Sequence, residues 1–217
     1  MSSPDFDYVR GPDAITRLSF KRIRSEAKLG HLPGLMSAVA ERVVHAVASL
    51  EAADHLRFSE GAPEAVREAL LKGAPILVDV EMVSRGITRN FLPAHNDVIC
   101  CLSDEGVRDE AKARGETRSA IGVEQWGKRL DGAVVVIGNA PTALFRLLEI
   151  MLDGEQNNGP KPAAILGFPV GFVGAAESKN ALAQYAGDVP FITLAGRLGG
   201  SPVAAAALNA IALGGNP

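Results

Sequence analysis

Cysteine and aromatic residues are scarce in this chain: two cysteines, one tryptophan and two tyrosines among 217 residues. The two cysteines, Cys100 and Cys101, are adjacent, so they build no disulfide framework, and nothing around them has metal-ligand spacing. They fall in the apolar run 97–102, where alternation turns them to opposite faces of a strand as small buried hydrophobes of a reducing compartment. No apolar run approaches the ~20 residues of a membrane-spanning helix. The opening residues are polar and acidic and hold no apolar signal-peptide core, which reads as a cytoplasmic protein. Basic charge is not in excess either. With 22 Lys and Arg against 25 Asp and Glu, the net charge of −3 gives no field for nucleic acid or an anionic membrane. A few local arginines and backbone N–H groups still suffice for an anionic ligand. The chain has no Gly-Lys-Ser/Thr phosphate loop, no G-x-G-x-x-G and no G-x-Ser-x-Gly elbow. His31, His55 and His95 form no metal-ligand spacing and read as surface histidines.

What is present is ample apolar content, 47% of the residues, which builds a full core without staples. The segments 75–80, 97–102, 133–137, 163–166 and 191–194 are short, apolar and bounded by turn residues, as in buried strands. Helical periodicity falls between and after them, at 106–114, 118–130, 142–152, 177–185 and 202–213. Three further helical segments, 12–29, 35–50 and 63–72, come first. This alternation predicts an α/β fold: a doubly wound, mainly parallel sheet of about five strands, helices on both faces, and an N-terminal helical segment. There is no internal repeat or clear linker, so residues 1–217 read as one domain, with 156–160 a surface loop.

Three of the strands end in glycine-rich turns: Gly138-Asn139-Ala140-Pro141, the stretch holding Gly167, Gly171 and Gly174, and Gly196-Arg197-Leu198-Gly199-Gly200. Taken singly, each is a tight turn that needs glycine. Taken together, at the carboxyl ends of parallel strands and before helix N-termini, they suggest a ligand with several anionic groups. Asn139 is placed to cap the helix beginning near Pro141. Asp79, at the end of the first strand, reads best as a cap for the short helix after it, and Thr88 is a candidate polar contact. Arg118, in the first turn of a helix opened by Thr117, opposes the helix dipole, which favours an anion partner; Ser119 follows it. Arg197 reads equally as a solvated charge or an anion ligand. Ser19 lies mid-helix, where a serine faces solvent or bonds back to the backbone.

His45 is the residue to weigh most carefully. Met36, Val39, Ala40, Val43, Val47 and Leu50 recur at helical spacing, and His45 points away from Val43 and Val47. It shares its face with Ala38, Glu41, Arg42, Ala48 and Ser49. Such a residue is either a solvated surface histidine or, since it titrates near neutrality unaided, a proton donor and acceptor.

Several segments are similar to the precorrin-8X methylmutase family. They include Asp7-Tyr8-Val9-Arg10, Ser19-Phe20, Val43-Val44-His45-Ala46, Gly86-Ile87-Thr88-Arg89 and Thr117-Arg118-Ser119-Ala120. The longest and most specific is Gly167-Phe168-Pro169-Val170-Gly171-Phe172-Val173-Gly174-Ala175-Ala176-Glu177-Ser178-Lys179, with Gly196-Arg197-Leu198-Gly199-Gly200-Ser201 after it. The resemblance is closer to the aerobic, cobalt-free branch. It implies an isomerase of cobalamin biosynthesis that moves a methyl group from C-11 to C-12 of a corrin precursor, giving hydrogenobyrinic acid. It implies no metal, nucleotide or methyl donor, and a homodimer with the site near the subunit interface. The partners are then the tetrapyrrole substrate and product, with other corrin-pathway enzymes as candidates. The family's catalytic histidine falls on His45, its substrate-binding serine on Ser19, and a threonine near the ring on Thr88. On this view Arg118, Ser119, Gly171, Gly174 and Arg197 contact the carboxylate-rich substrate. The chain departs from the family pattern at Val47-Ala48, where many members have a glycine or a polar residue. The rivals are a pure tetrapyrrole carrier and a nucleotide-dependent enzyme using the same strand-end crevice.

Overall fold

The structure, a computed structural model, describes residues 6–155 and 159–215. Two helices, α1 (Pro12–Glu26) and α2 (Gly34–Val47), precede a 3-10 turn at Leu50–His55 and a short strand β1 (Leu56–Phe58). Then follow α3 (Ala62–Leu71), β2 (Ile76–Val78), α4 (Glu81–Gly86), β3 (Val98–Cys100), α5 (Val107–Arg114) and α6 (Arg118–Glu124). The chain finishes with β4 (Val134–Ile137), α7 (Pro141–Glu155), β5 (Ala164–Gly167), α8 (Ala175–Tyr185), β6 (Phe191–Leu194) and α9 (Ser201–Ala212). The strands form one sheet in the order β1-β6-β5-β4-β2-β3. All pairs are parallel except β1 with β6, where Leu56 faces Leu194 and Phe58 faces Ile192.

The five expected strands are all there, and β1 is a sixth that periodicity missed. Its three residues, Leu-Arg-Phe, are too few to show alternation. Two expected helices are shorter than their apolar spacing suggests. The 118–130 segment leaves the α-helix after Glu124 and reforms as a 3-10 turn at Gly127–Leu130, where Gly127 has φ +50°. The 35–50 segment stops at Val47 because Ala48 turns left-handed (φ 55°, ψ 34°). Residues 156–158 of the expected surface loop lie outside the described residues.

Strand side chains alternate between two cores. Ile76, Val78, Val134, Val136, Leu166 and Ile192 pack with α2, α3, α4 and α9 on one face. Leu77, Val135, Ile137 and Ile165 pack with α6, α7 and α8 on the other. The adjacent cysteines divide as alternation requires, Cys100 against the first core and Cys101 within the second. Burial pushes their thiols up to about 12 and about 11, so neither is a ready nucleophile. Helix α9 is buried nearly all round and is built largely of alanine. Its small side chains admit close neighbours: a Cβ on Gly86 would lie 2.8 Å from that of Ala205. Helix α2 covers α9 with Met36, Val39, Ala40, Val43 and Val44, which leaves the opposite side of α2 facing outward.

The carboxyl ends of the parallel strands lie along one edge. Strand order reverses between β2 and β4, the switch point at which open α/β sheets usually bind ligands. The end of α2 approaches this same edge. The turn after it leads into β1, whose Leu56 pairs with the last residue of β6, and the His55 carbonyl accepts the Ala195 N–H at 2.8 Å.

Candidate functional site

His45 lies in the last turn of α2, exposed on its outward side. Helix α1 crosses it. Pro12 opens α1, Asp13 sits in its first turn and Arg24 in its last, each where the helix dipole favours it. Phe20 and Ile23 bury against α2, and Arg24 pairs with Glu41 at 2.9 Å. This docking brings two consecutive α1 residues onto the histidine. The Ser19 Oγ lies 2.9 Å from His45 Nδ1, and the Phe20 ring stacks on the imidazole at 5.2 Å between centroids and 22° between planes. The guanidinium of Arg42 lies 5.5 Å from the Phe20 ring centre. With Nδ1 engaged by the serine, Nε2 is the nitrogen left for another molecule. The serine hydroxyl suits either protonation state, donating to a bare Nδ1 or accepting from a protonated one.

Beside this pair is a cavity of about 740 Å³, lined by Ser19, His45, Ser49, Arg22 and Glu26 among apolar residues. Its size falls within the ~300–1,000 Å³ of small-molecule sites. Val9, Ile15, Leu18 and Leu50 line it while remaining 37–47% exposed. The rim is open and apolar around a histidine, an arginine and a glutamate.

The switch point is organised in the opposite way. Asp79 is 3% exposed. Its carboxylate accepts N–H bonds from Gly138 at 2.9 Å and from Asn139 and Ala140 at 2.9 and 2.8 Å. Burial, opposed by those three bonds, leaves its pKa above the ordinary aspartate value. Asp79 therefore caps the turn into α7 from the end of the adjacent strand, not the helix α4 that follows it. The residue before α4 is Val80, which makes no side-chain cap. Asn139 likewise serves through its backbone N–H; α7 begins at Pro141, one residue after Ala140. The N–H groups of the first glycine turn are thus already satisfied by the protein's own carboxylate.

The other two turns are clamped to each other. Gly171 N–H donates to the Arg197 carbonyl at 3.3 Å, and Gly200 N–H to the Phe168 carbonyl at 2.8 Å. A Cβ on Gly199 would lie 2.4 Å from the Phe168 oxygen, so only glycine allows the two loops to meet. Helix α8 begins after Gly174 (φ +81°) without a side-chain cap. Above the junction Phe172 is 84% exposed, and the Arg197 guanidinium lies 5.2 Å from its ring centre. Behind it, Lys179 of α8 is 1% exposed and its Nζ donates to the Leu198 carbonyl at 2.6 Å.

A family model described as precorrin-8X methylmutase matches residues 14–213. The precorrin-8X methylmutase of Pseudomonas aeruginosa is 54% identical over 95% of this chain and 97% of its own length. That of a Sinorhizobium species is 53% identical over 96% and 98%. A crystal structure of the precorrin-8X methylmutase from Thermus thermophilus superposes with a TM-score of 0.81 at 39% identity, covering 92% of this chain and 94% of that one. The chain belongs to the precorrin-8X methylmutase family. The cobalt-precorrin-8 methylmutase of Priestia megaterium is 38% identical over 93% of this chain and 88% of its own length.

Within one copy of this methylmutase chain the expected residues fall into separate groups. Ser19 and His45 meet in the cavity. Gly171, Gly174 and Arg197 sit on the clamped loops at the strand edge. Thr88 follows α4; its N–H donates to Asn209 Oδ1 on α9 at 3.0 Å, and its side chain is exposed. Arg118 and Ser119 open α6 on the opposite face of the sheet, Arg118 exposed and without an ion pair among the described residues, Ser119 buried. Thr117 caps that helix, its side chain accepting from Ala120 N–H. Sequence reading did not single out Arg22, although it lies three positions after Ser19 and so on the same helical face. It also gave Phe20, Asn209 and Lys179 no role, since buried or stacked neighbours leave no local signature. No helix among the described residues is long and apolar enough to cross a membrane.

Proposed function

We propose that His45, with its ring set by Ser19, moves a proton to and from the macrocycle during the methyl shift. The reaction converts precorrin-8X to hydrogenobyrinic acid in cobalamin biosynthesis, an intramolecular methyl transfer and hence an isomerisation. The bond from C-11 to the methyl carbon breaks as the bond from C-12 forms, along a conjugated ring system. Nothing is oxidised or reduced and no nucleophile is needed. What accelerates such a shift is polarisation of the ring. A proton given by His45 Nε2 to a ring nitrogen makes the neighbouring carbon electron-poor, and the same proton returns once the methyl has moved. Ser19 follows the imidazole through both states by rotating its hydroxyl. The rest of the catalysis is conformational, holding the macrocycle in one geometry against the apolar cavity wall.

The observation that carries this reading is the 2.9 Å contact between Ser19 Oγ and His45 Nδ1 at the edge of the cavity. The exposed apolar rim supports a second element, a homodimer whose partner subunit covers the ring. The place of Arg118, on the opposite face of the sheet from His45, supports it too. A two-fold pairing offers one macrocycle residues from both copies. Carboxylates of the substrate then meet Arg22, Arg118 and Arg197. The reading includes a cytoplasmic location, as expected of a biosynthetic enzyme of this family.

The test is His45→Ala, measured for turnover of precorrin-8X and, by visible absorbance after gel filtration, for retention of the coloured product. Turnover is expected to fall by on the order of 10²–10⁴ while product still binds. Wild-type turnover in the variant would remove His45 as the acid. If the wild-type protein binds product but turns nothing over, it is a carrier. Light scattering at micromolar concentration gives the subunit number, and a monomer there refutes the homodimer.

A further inference from the structure

Lys179 carries an ammonium group sealed inside the protein, and among the described residues no carboxylate pairs with it. Desolvation alone pulls its pKa down to about 8. Burying such a group is costly unless its hydrogen bonds accomplish something specific, and plain packing would be served better by methionine. Among the described residues its hydrogen bond goes to the Leu198 carbonyl at 2.6 Å. Leu198 stands in a turn that needs holding. Gly196 and Gly200 have φ of +80° and +120°, and Gly199 is pressed against two carbonyls, so the backbone has little stiffness of its own. The neighbours on either side are tied to the β5–α8 loop, Arg197 through its carbonyl and Gly200 through its N–H. The lysine secures Leu198, the first of the two residues between them, from the helix behind. What the turn presents on its outer side is Arg197, over the exposed ring of Phe172.

We infer that Lys179 is a positioning residue for substrate binding, which fixes the Gly196-to-Gly200 turn through Leu198 so that Arg197 meets a carboxylate of the macrocycle. The inference rests on the reading of Arg197 as a carboxylate ligand given above. Lys179 itself touches no substrate; it acts through the turn. Its contribution is to the affinity for precorrin-8X and not to the proton transfer at His45.

The experiment is a double-mutant cycle in the full chain with precorrin-8X as substrate, using Lys179→Met, Arg197→Gln and both together. Loss of a charge-assisted hydrogen bond is expected to raise KM about tenfold in Lys179→Met, with kcat within about twofold of wild type. The double variant should show no more than the larger single effect, because both changes remove the same contact. An unchanged KM in Lys179→Met, a parallel fall in kcat, or effects that multiply in the double variant would overturn the inference. If Lys179→Met does not fold, Lys179→Gln goes through the same cycle and is judged by the same outcomes. Arg197→Gln separates the two claims. An unchanged KM there refutes the carboxylate reading and this inference with it. A raised KM there beside an unaffected Lys179→Met refutes this inference alone.

Discussion

Between β2 and β4 the edge of the sheet is closed, whereas beside α1 and α2 the surface is open. At the closed place a buried aspartate accepts three backbone N–H groups, filling with the protein's own carboxylate the crevice where an open α/β sheet ordinarily holds a ligand. At the open place a histidine has one ring nitrogen engaged, an aromatic ring stacked on it, and a cavity of about 740 Å³ alongside. The polar groups of the first region are spent on holding loops together, and those of the second are left available. Fold type alone points to the first, whereas the groups left available, and with them the proposed site, are at the second. Where a ligand binds follows from which donors and acceptors remain unsatisfied, not from the topology that brings them near.

The contrast breaks most sharply at Asp79. Asparagine keeps one acceptor oxygen but turns the other into a donor, which then confronts at least one backbone N–H in a buried place. Asp79→Asn is expected to lose about 2–3 kcal/mol of stability, the cost of an unsatisfied buried N–H plus a lost charge-assisted bond, measured by urea denaturation. A loss below about 0.5 kcal/mol would mean the carboxylate does not hold this edge shut. Ser19→Ala is the counterpart at the open place. Stability should move by less than about 0.5 kcal/mol, since Ser19 is only half-buried and His45 is exposed. Turnover should fall up to about tenfold, as the imidazole loses one net hydrogen bond of ~1 kcal/mol. A variant of Ser19 that is destabilised but fully active would reverse the assignment of the two regions.

Much of this was legible before any coordinates. The strands β2, β4, β5 and β6 announce themselves because each is buried on both faces and so nearly all apolar, from Val134-Val135-Val136-Ile137 to Phe191-Ile192-Thr193-Leu194, while the edge strand β3 is half-buried but still apolar. His45 stands out because its helix has a clear apolar stripe that excludes it. What was not legible is non-local. Asp79 caps a turn 59 residues further on, and the nearer reading, a cap for its own helix, was the natural error. Ser19 gave no local sign of a partner 26 residues away. Lys179 sits inside the most specific sequence segment, yet a lysine's burial depends on what folds over it. The three glycine turns looked alike in sequence, and only the carboxylate from the adjacent strand distinguishes the first from the others.

The smallest expected effect concerns the end of the helix that carries His45. Ala48 is the one non-glycine residue among the described residues with positive φ, at 55°. A left-handed conformation costs an L-residue roughly 1–2 kcal/mol, and helices commonly end here with glycine. Glycine would remove that strain but gain freedom in the unfolded chain, worth roughly 0.5–1 kcal/mol in the other direction. Ala48→Gly should therefore stabilise the protein by about 0.5 kcal/mol net, a rise in Tm of about 1–2 °C for a chain of this length. Ala48 lines the cavity but lies one turn beyond the imidazole, whose position is set by Ser19 and Phe20 on another helix. Turnover of Ala48→Gly should accordingly stay within about twofold of wild type. A more stable protein with a large loss of turnover would show that the strained turn itself shapes the open region, and that the region is less self-sufficient than its contacts suggest.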